Sequence, residues 1–110
     1  MSSPAFSFEG PAELQAPIDQ ALRRVVDPEV AMNIVDVGLV YGVSVNTERV
    51  HVQVTMTSAA CPVADVIIGD IEQQLDRAVP AGLLIQVELI WEPPWTPERL
   101  SDKAKSLMGW

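Results

Sequence analysis

A small single α+β domain is the fold this sequence predicts, in the order α-β-β-α-β-α, with helices packed on the apolar face of a three-stranded sheet. Three observations predict it. Two central runs alternate apolar and polar residues with the period of a strand, two longer stretches repeat apolar residues with the period of a helix, and Pro and Gly mark the boundaries between them. A chain of 110 residues, 48% hydrophobic and 20% charged, has the material for one core and one domain.

Residues 1–12 mix Ser, Pro, Gly and Phe without period and read as a flexible arm ahead of a domain over 13–110, with Phe6 and Phe8 free to touch its body. A first helix is expected from about Glu13 to Val26. Ile18, Leu22, Val25 and Val26 fall on one face, with Asp19, Arg23 and Arg24 opposite. Pro17 suits a first helical turn, and Pro28 pushes Asp27 toward an extended backbone and ends the helix.

A hairpin follows. Leu39, Tyr41, Val43 and Val45 alternate with Val40, Gly42, Ser44 and Asn46. After a turn at Asn46–Arg49, Val50, Val52, Val54 and Met56 alternate with His51, Gln53, Thr55 and Thr57. From Pro62 to about Ala78 an apolar stripe spaced by four (Val63, Ile67, Ile71, Leu75) predicts the second helix, which Pro80 and Gly82 end. A third strand runs from Leu84 to Trp91, with Ile85, Val87, Leu89 and Trp91 facing one way. The last helix has Thr96 as N-cap, Pro97 at its first position, and an apolar stripe of Leu100, Ala104, Leu107 and Met108 before Gly109.

The net charge of −8 and the absence of any basic run argue against nucleic acid, whose phosphates need Lys and Arg, and against anionic membrane surfaces. No apolar stretch approaches the roughly 20 residues that span a bilayer, and Met1–Gly10 lacks the pattern of a secretory signal. A lone cysteine fits a reducing compartment, so a cytoplasmic protein is expected.

Cys61 is the first candidate for chemistry. It lies between a strand and a helix, directly before Pro62, where the helix N-terminus favours a thiolate, the form that attacks and that ligates metals. The alternative is a small buried hydrophobe, the usual fate of a single cysteine. Asp27, Glu29 and Asp36 form a second constellation: carboxylates there could ligate a metal, orient Cys61, or simply cap loop amides. His51, the only histidine, falls on the polar face of a strand away from Cys61, which leaves a cysteine enzyme without an evident base. Trp91, Trp95 and Trp110 either plug the core or offer a contact surface.

Three segments taken together resemble a known family. Asp27-Pro28-Glu29 with Asn33-Ile34-Val35-Asp36-Val37-Gly38-Leu39-Val40-Tyr41, then Val54-Thr55-Met56-Thr57 before Cys61-Pro62, then Trp91-Glu92-Pro93-Pro94-Trp95-Thr96-Pro97, are similar in type and order to the SufT-like, PaaD-related iron–sulfur cluster assembly domains. The resemblance covers about Ile18 to Leu107. It implies an assembly or targeting factor rather than an enzyme, with transient iron or iron–sulfur cluster binding, and with assembly proteins and apo-clients as partners. It maps the family cysteine onto Cys61 and the acidic motif onto Asp27 and Glu29, with Asp36, Thr57 and Pro62 in support. The loop Ser58-Ala59-Ala60 departs from the Pro-Gly of many members, and the cysteine-rich C-terminal segment of PaaD-type proteins does not follow Trp110. A cluster commonly takes four protein ligands. One Cys per chain therefore implies a homodimer, carboxylate ligands, an exogenous thiol or a partner's cysteines. The other reading is a metal-free adaptor in which Cys61 is structural.

Overall fold

Strands with one apolar face need that face covered, and this chain covers it with two helices. The computed structural model describes residues 6–27, 31–56, 61–92 and 94–108, of which 61–63, 97, 107 and 108 are described by backbone alone. Along the chain lie β1 (Ser7–Glu9), α1 (Ala12–Leu22), β2 (Val26–Asp27), β3 (Met32–Asn33), α2 (Ile34–Val37), β4 (Val40–Val45), β5 (Arg49–Val54), α3 (Cys61–Ala78), β6 (Leu84–Leu89), a 3-10 turn (Pro97–Arg99) and α4 (Asp102–Met108). The α+β class is as expected, and the main sheet carries one strand more than the three foreseen, in the order β1-β4-β5-β6.

β5 is the central girder. Val50, Val52 and Val54 are fully buried, while Arg49, His51 and Gln53 turn to the open face. It pairs antiparallel with β4, through the expected turn in which Asn46 Oδ1 accepts from the Glu48 and Arg49 N–H groups at 2.8 Å. On its other side β5 pairs parallel with β6, joined through α3. Ile67, Ile71 and Leu75 of α3 are buried as the stripe required, and α1 packs beside α3 with Ile18, Ala21 and Leu22 buried. Together they fill the space over the inner sheet face.

Part of the arm expected over 1–12 forms the fourth strand. β1 runs parallel to β4, Phe8 opposite Val43, and Phe6 is buried. Three residues are too short for alternation to be read, and only the pairing with β4 defines them as strand.

Three further expectations are corrected. The first helix ends at Leu22 rather than Val26, with Pro17 in its interior; Val25 then bonds through its carbonyl to the Ile34 N–H at 2.9 Å, and Val26 is left 47% exposed. The alternation in β4 breaks at Tyr41, where a register shift lets Val40 face inward opposite Val54 and Gly42 face outward opposite Gln53. Such a bulge re-aims one side chain: the Tyr41 ring lies beneath the Arg99 guanidinium, 3.9 Å from its central carbon. Finally β6 ends at Leu89, because its partner β5 ends at Val54, and Trp91 is 45% exposed instead of inward-facing.

The C-terminal segment is held by side chains rather than by the expected cap. Ser101, not Thr96, caps α4: its hydroxyl accepts from the Ala104 N–H at 3.1 Å, while Thr96 accepts through its carbonyl from Arg99 in the preceding 3-10 turn. Leu100 and Ala104 are buried as foreseen; the side chains of Leu107 and Met108 lie outside the described residues. Gly38, which ends α2 with φ of +85°, is so close to Arg99 that a β-carbon there would press on the Arg99 carbonyl and sit 2.7 Å from its Cβ. Gly38→Ala should therefore combine left-handed strain with a backbone collision and lower unfolding free energy by about 2 kcal/mol or more, measured by denaturant titration.

Candidate functional site

One end of the sheet gathers the connections that matter. Val40, where β4 begins, pairs with Val54, where β5 ends. Thr55 donates its N–H to the Leu39 carbonyl and Ile90 donates to the Val54 carbonyl, both at 2.8 Å, so β6 also finishes there. The chain then returns as α3, whose first residue is Cys61. Ile34 N–H to Val25 O and Leu39 N–H to Ile34 O, both 2.9 Å, tie β2 and α2 to the same end. The backbones of Asp27, Asp36 and Cys61, separated along the chain, thus share one pole of the molecule. A strand-helix-strand crossover produces this arrangement: the helix N-terminus, with free N–H groups and a partial positive charge, lies where the parallel strands end.

Cys61 occupies the first helical position, so α3 begins one residue ahead of the start at Pro62 expected for it. The backbones of Cys61 and Pro62 are described without their side chains, and Glu29 and Thr57 lie outside the described residues. Asp27 is a buried acid, 2% exposed, at the close of β2. Its carbonyl accepts from the Ala31 N–H at 2.8 Å, and Ala31 has φ of +57°, a left-handed conformation costing a non-glycine residue about 1–2 kcal/mol. Ala31 therefore holds backbone strain, a feature that collects at functional loops.

Asp36 is not in a loop. It sits in α2, 7% exposed, at the centre of a hydrogen-bonded knot. Asn33 caps this helix by accepting from the Asp36 N–H at 2.9 Å, and its own amide donates to Asp36 Oδ2 at 2.7 Å. Arg23 spans two acids, with Nη1 3.3 Å from Asp36 Oδ1 and Nε 3.2 Å from Asp19 Oδ2. The Ser101 N–H donates to the Asp36 carbonyl at 2.8 Å. Burial works to raise the Asp36 carboxyl. Hydrogen bonds from Asn33 and Ser101, with the charges of Arg23 and Lys103, outweigh it and hold the group below its ordinary value of 3.8.

The short α2 leaves carbonyls that four residues of helix cannot satisfy. Trp95 donates its indole Nε1–H to the Val37 carbonyl at 2.7 Å, and Arg99 donates Nε–H to the Gly38 carbonyl at 3.0 Å. Trp95 thus packs against the core with its polar edge used, whereas Trp91 faces solvent. His51, on the polar strand face as foreseen, contacts Glu88 Oε1 through Nε2 at 3.0 Å, on the central strand and away from α2. Two features escaped sequence reasoning. Thr55 is fully buried and its hydroxyl finds no hydrogen-bond partner among the described residues, two steps before Thr57; nothing in an alternating strand signals that. The Asn33 cap and Gly38 stop were signals of α2 that could have been read. Among the described residues no three His, Cys, Asp or Glu side chains gather to hold a metal ion, so a protein-borne set would have to draw on side chains outside them, such as Cys61 or Glu29.

A domain with this sheet, this crossover and this motif-bearing pole defines a family. The family model for iron–sulfur cluster assembly proteins matches residues 15–89, and the chain belongs to that family. It is 38% identical over 90 residues to the Fe-S protein maturation auxiliary factor YitW of Bacillus subtilis, covering 81% of this chain and 87% of that one. It is 40% identical over 86 residues to the Fe-S protein maturation auxiliary factor SufT of Staphylococcus aureus, covering 77% and 97%. A crystal structure of a DUF59 domain of unknown function from Bacillus anthracis superposes with a TM-score of 0.81 at 37% identity, over 88% of this chain and 92% of that one.

The Asp36 knot has a pH signature. Its carboxyl titrates lower in the folded chain than when unfolded, so its stabilisation is complete above about pH 3.8 and is lost as the pH falls through the folded value. Asp36→Asn should be less stable than the native protein at pH 7, with the gap narrowing below pH 3.8, followed by denaturant unfolding across that range.

Proposed function

We propose that this chain is a maturation factor for iron–sulfur proteins, working in the cytoplasm, which transiently ligates iron or a cluster through Cys61 and passes it to apo-proteins without itself catalysing a reaction. The observation that supports this most is that its single cysteine opens the 18-residue helix α3 at the pole where the parallel strands end. Free helix N–H groups and the helix dipole there favour the thiolate. Asp27 and Glu29 are the proposed auxiliary carboxylates, with Asp36, Thr57 and Pro62 holding the surrounding backbone. The names of the bacterial relatives, both maturation auxiliary factors, support the same direction. One thiolate cannot complete the four-ligand set a cluster commonly takes. The remaining ligands then come from the client, another assembly protein or a small thiol, and the cargo is held loosely.

A second reading is favoured by the exposed Trp91 and the net charge of −8: an adaptor that docks clients or assembly proteins, with Cys61 structural. Anaerobic reconstitution with iron and sulfide in the presence of glutathione separates the two. The carrier reading expects visible absorption and bound iron with the native protein, at least tenfold less with Cys61→Ser, and weaker binding at acid pH as protons compete for the ligands. Equal iron and absorption in both proteins, or none in either, would sink it and leave the adaptor.

A further inference from the structure

The sheet has two edges, and they are unlike. β1 is three residues long, bears Glu9 and runs into Gly10 and Pro11, features that blunt an edge. β6 is six residues long, carries no Lys, Pro or bulge, and among the described elements makes its substantial contacts with β5 and α3 alone. Two bonds fix the direction of its main-chain groups: Leu84 N–H to the Glu48 carbonyl at 2.9 Å and Ile90 N–H to the Val54 carbonyl at 2.8 Å. In a parallel ladder alternate residues bond to the neighbour, so Leu84, Gln86, Glu88 and Ile90 turn their amides to β5. The N–H and C=O groups of Ile85, Val87 and Leu89 point to the free edge. The polar side chains do not guard it, because they reach back over β5: Arg49 Nη1 donates to Gln86 Oε1 at 3.1 Å, and Gln53 and His51 hold Glu88 Oε1 at 3.3 and 3.0 Å.

We propose that a second copy of this chain docks on this edge, the two β6 strands pairing antiparallel about a two-fold axis through Val87 and joining the four-stranded sheets into one of eight. The edge is self-complementary in that register. Leu84 meets Ile90 of the copy, Ile85 meets Leu89, Gln86 meets Glu88, and Val87 meets itself. The Val87 pair and both Ile85–Leu89 pairs are those with outward main-chain groups, so about six N–H···O bonds close. Ile85, Val87 and Leu89, each only partly buried in one chain, join into a continuous apolar row on the helix-covered side. Moving the axis to Glu88 sets two carboxylates face to face, and moving it to Gln86 sets Glu88 against Leu84. An extended segment of another protein would use the same main-chain groups, but the match of side chains selects the copy.

The consequence for the candidate site is geometric. Cys61 lies at the Leu89 end of the strand, and antiparallel pairing sends the two copies of that end in opposite directions. The two Leu89 ends then lie four residues apart along the strand direction, about 13 Å, which sets the two Cys61 residues on opposite sides of the two-fold axis rather than side by side.

Sedimentation velocity on metal-free protein in excess reductant, from micromolar to millimolar concentration, reads the association directly. Native protein should show a concentration-dependent monomer–dimer equilibrium. Val87→Pro removes an N–H that faces the free edge rather than β5, spares the hydrogen bonds of the ladder to β5, and should abolish the dimer while the monomer, at some cost in packing, still unfolds cooperatively. The exposed Gln86 supplies a pair of variants that cannot be confused with misfolding. Gln86→Glu faces Glu88 of the copy twice per dimer and should weaken association roughly tenfold, and Gln86→Lys should strengthen it by a similar factor. Within one chain the contact with Arg49 responds in the opposite sense, so fold stability and dimer affinity should move apart. A monomer at millimolar concentration, including one that captures an extended peptide at β6, overturns the proposal. So does a dimer indifferent to the charge at position 86.

Discussion

The close approach of Arg99 to Gly38 governs the layout of the pole that carries α2 and the start of α3. A turn of four helical residues is too short to satisfy its own carbonyls or to stand alone in water. It persists because Asn33 caps its start, Gly38 takes a left-handed turn at its end, and Trp95 and Arg99 bring donors to the carbonyls of Val37 and Gly38. The donors arrive only if the backbone at Arg99 can lie against position 38, and only glycine leaves that space. Two segments some sixty residues apart in the chain are thereby made one object. The bulge at Tyr41 belongs to the same device, since it turns the aromatic ring beneath the guanidinium that the clamp has fixed.

Electrostatics reinforce the clamp in an otherwise acidic chain. With a net charge of −8, adding a buried carboxylate at this pole would normally be costly. Asp36 is tolerated because it receives hydrogen bonds from Asn33 and Ser101 and faces Arg23, which also holds Asp19. The Asp19 contact is a helical i,i+4 pair near the surface and contributes little by itself. Its value is to steer the guanidinium toward the buried acid. The Asp36 carboxylate thus bonds to the side chains of Asn33, Arg23 and Ser101 rather than capping loop amides, and α1, α2 and α4 are bound together through it.

How much of this can be read in the chain depends on whether a feature is local. Val50, Val52 and Val54, and Ile67, Ile71 and Leu75, announce themselves because their period is the period of the element they build. Asn46 marks its turn for the same reason. β1 has three residues, too few for a period, and becomes a strand only by meeting β4. Val26 has a place on the apolar face of an imagined longer helix, but the bond from Ile34 to Val25 draws the chain out of it. Thr96 and Ser101 are equally good caps by composition; the choice falls to Ser101 because Asp36 anchors the Ser101 N–H. At the candidate site, the chain position of Cys61 between strand and helix was legible. The knot around Asp36 was legible only in its local Asn33 cap, since Arg23 and Ser101 are brought to it by tertiary contact alone.

Part of the same pole is fixed by bonds within the chain, and with Cys61 as the proposed ligand beside it the arrangement suits a carrier better than a storage site. The clamp engages Asp36, Trp95, Arg99 and Ser101 in bonds within the chain, so these are poor candidates for exchanging partners. The start of α3 is built differently: a helix N-terminus has more donors than the chain behind it can satisfy, and the thiol of Cys61 is the one ligand proposed for the cargo there. A site with four such ligands would complete the cargo's coordination and have to break several bonds to release it. A site with one can share coordination with whatever thiols approach and lose its hold by exchange, as thiolates do on a common metal or sulfur centre. The cost is weak binding by the isolated chain, and the benefit is that a client supplying more ligands draws the cargo away. On the proposed reading, rigid scaffolding beside a single thiol ligand is a consistent physical basis for handing a cluster on.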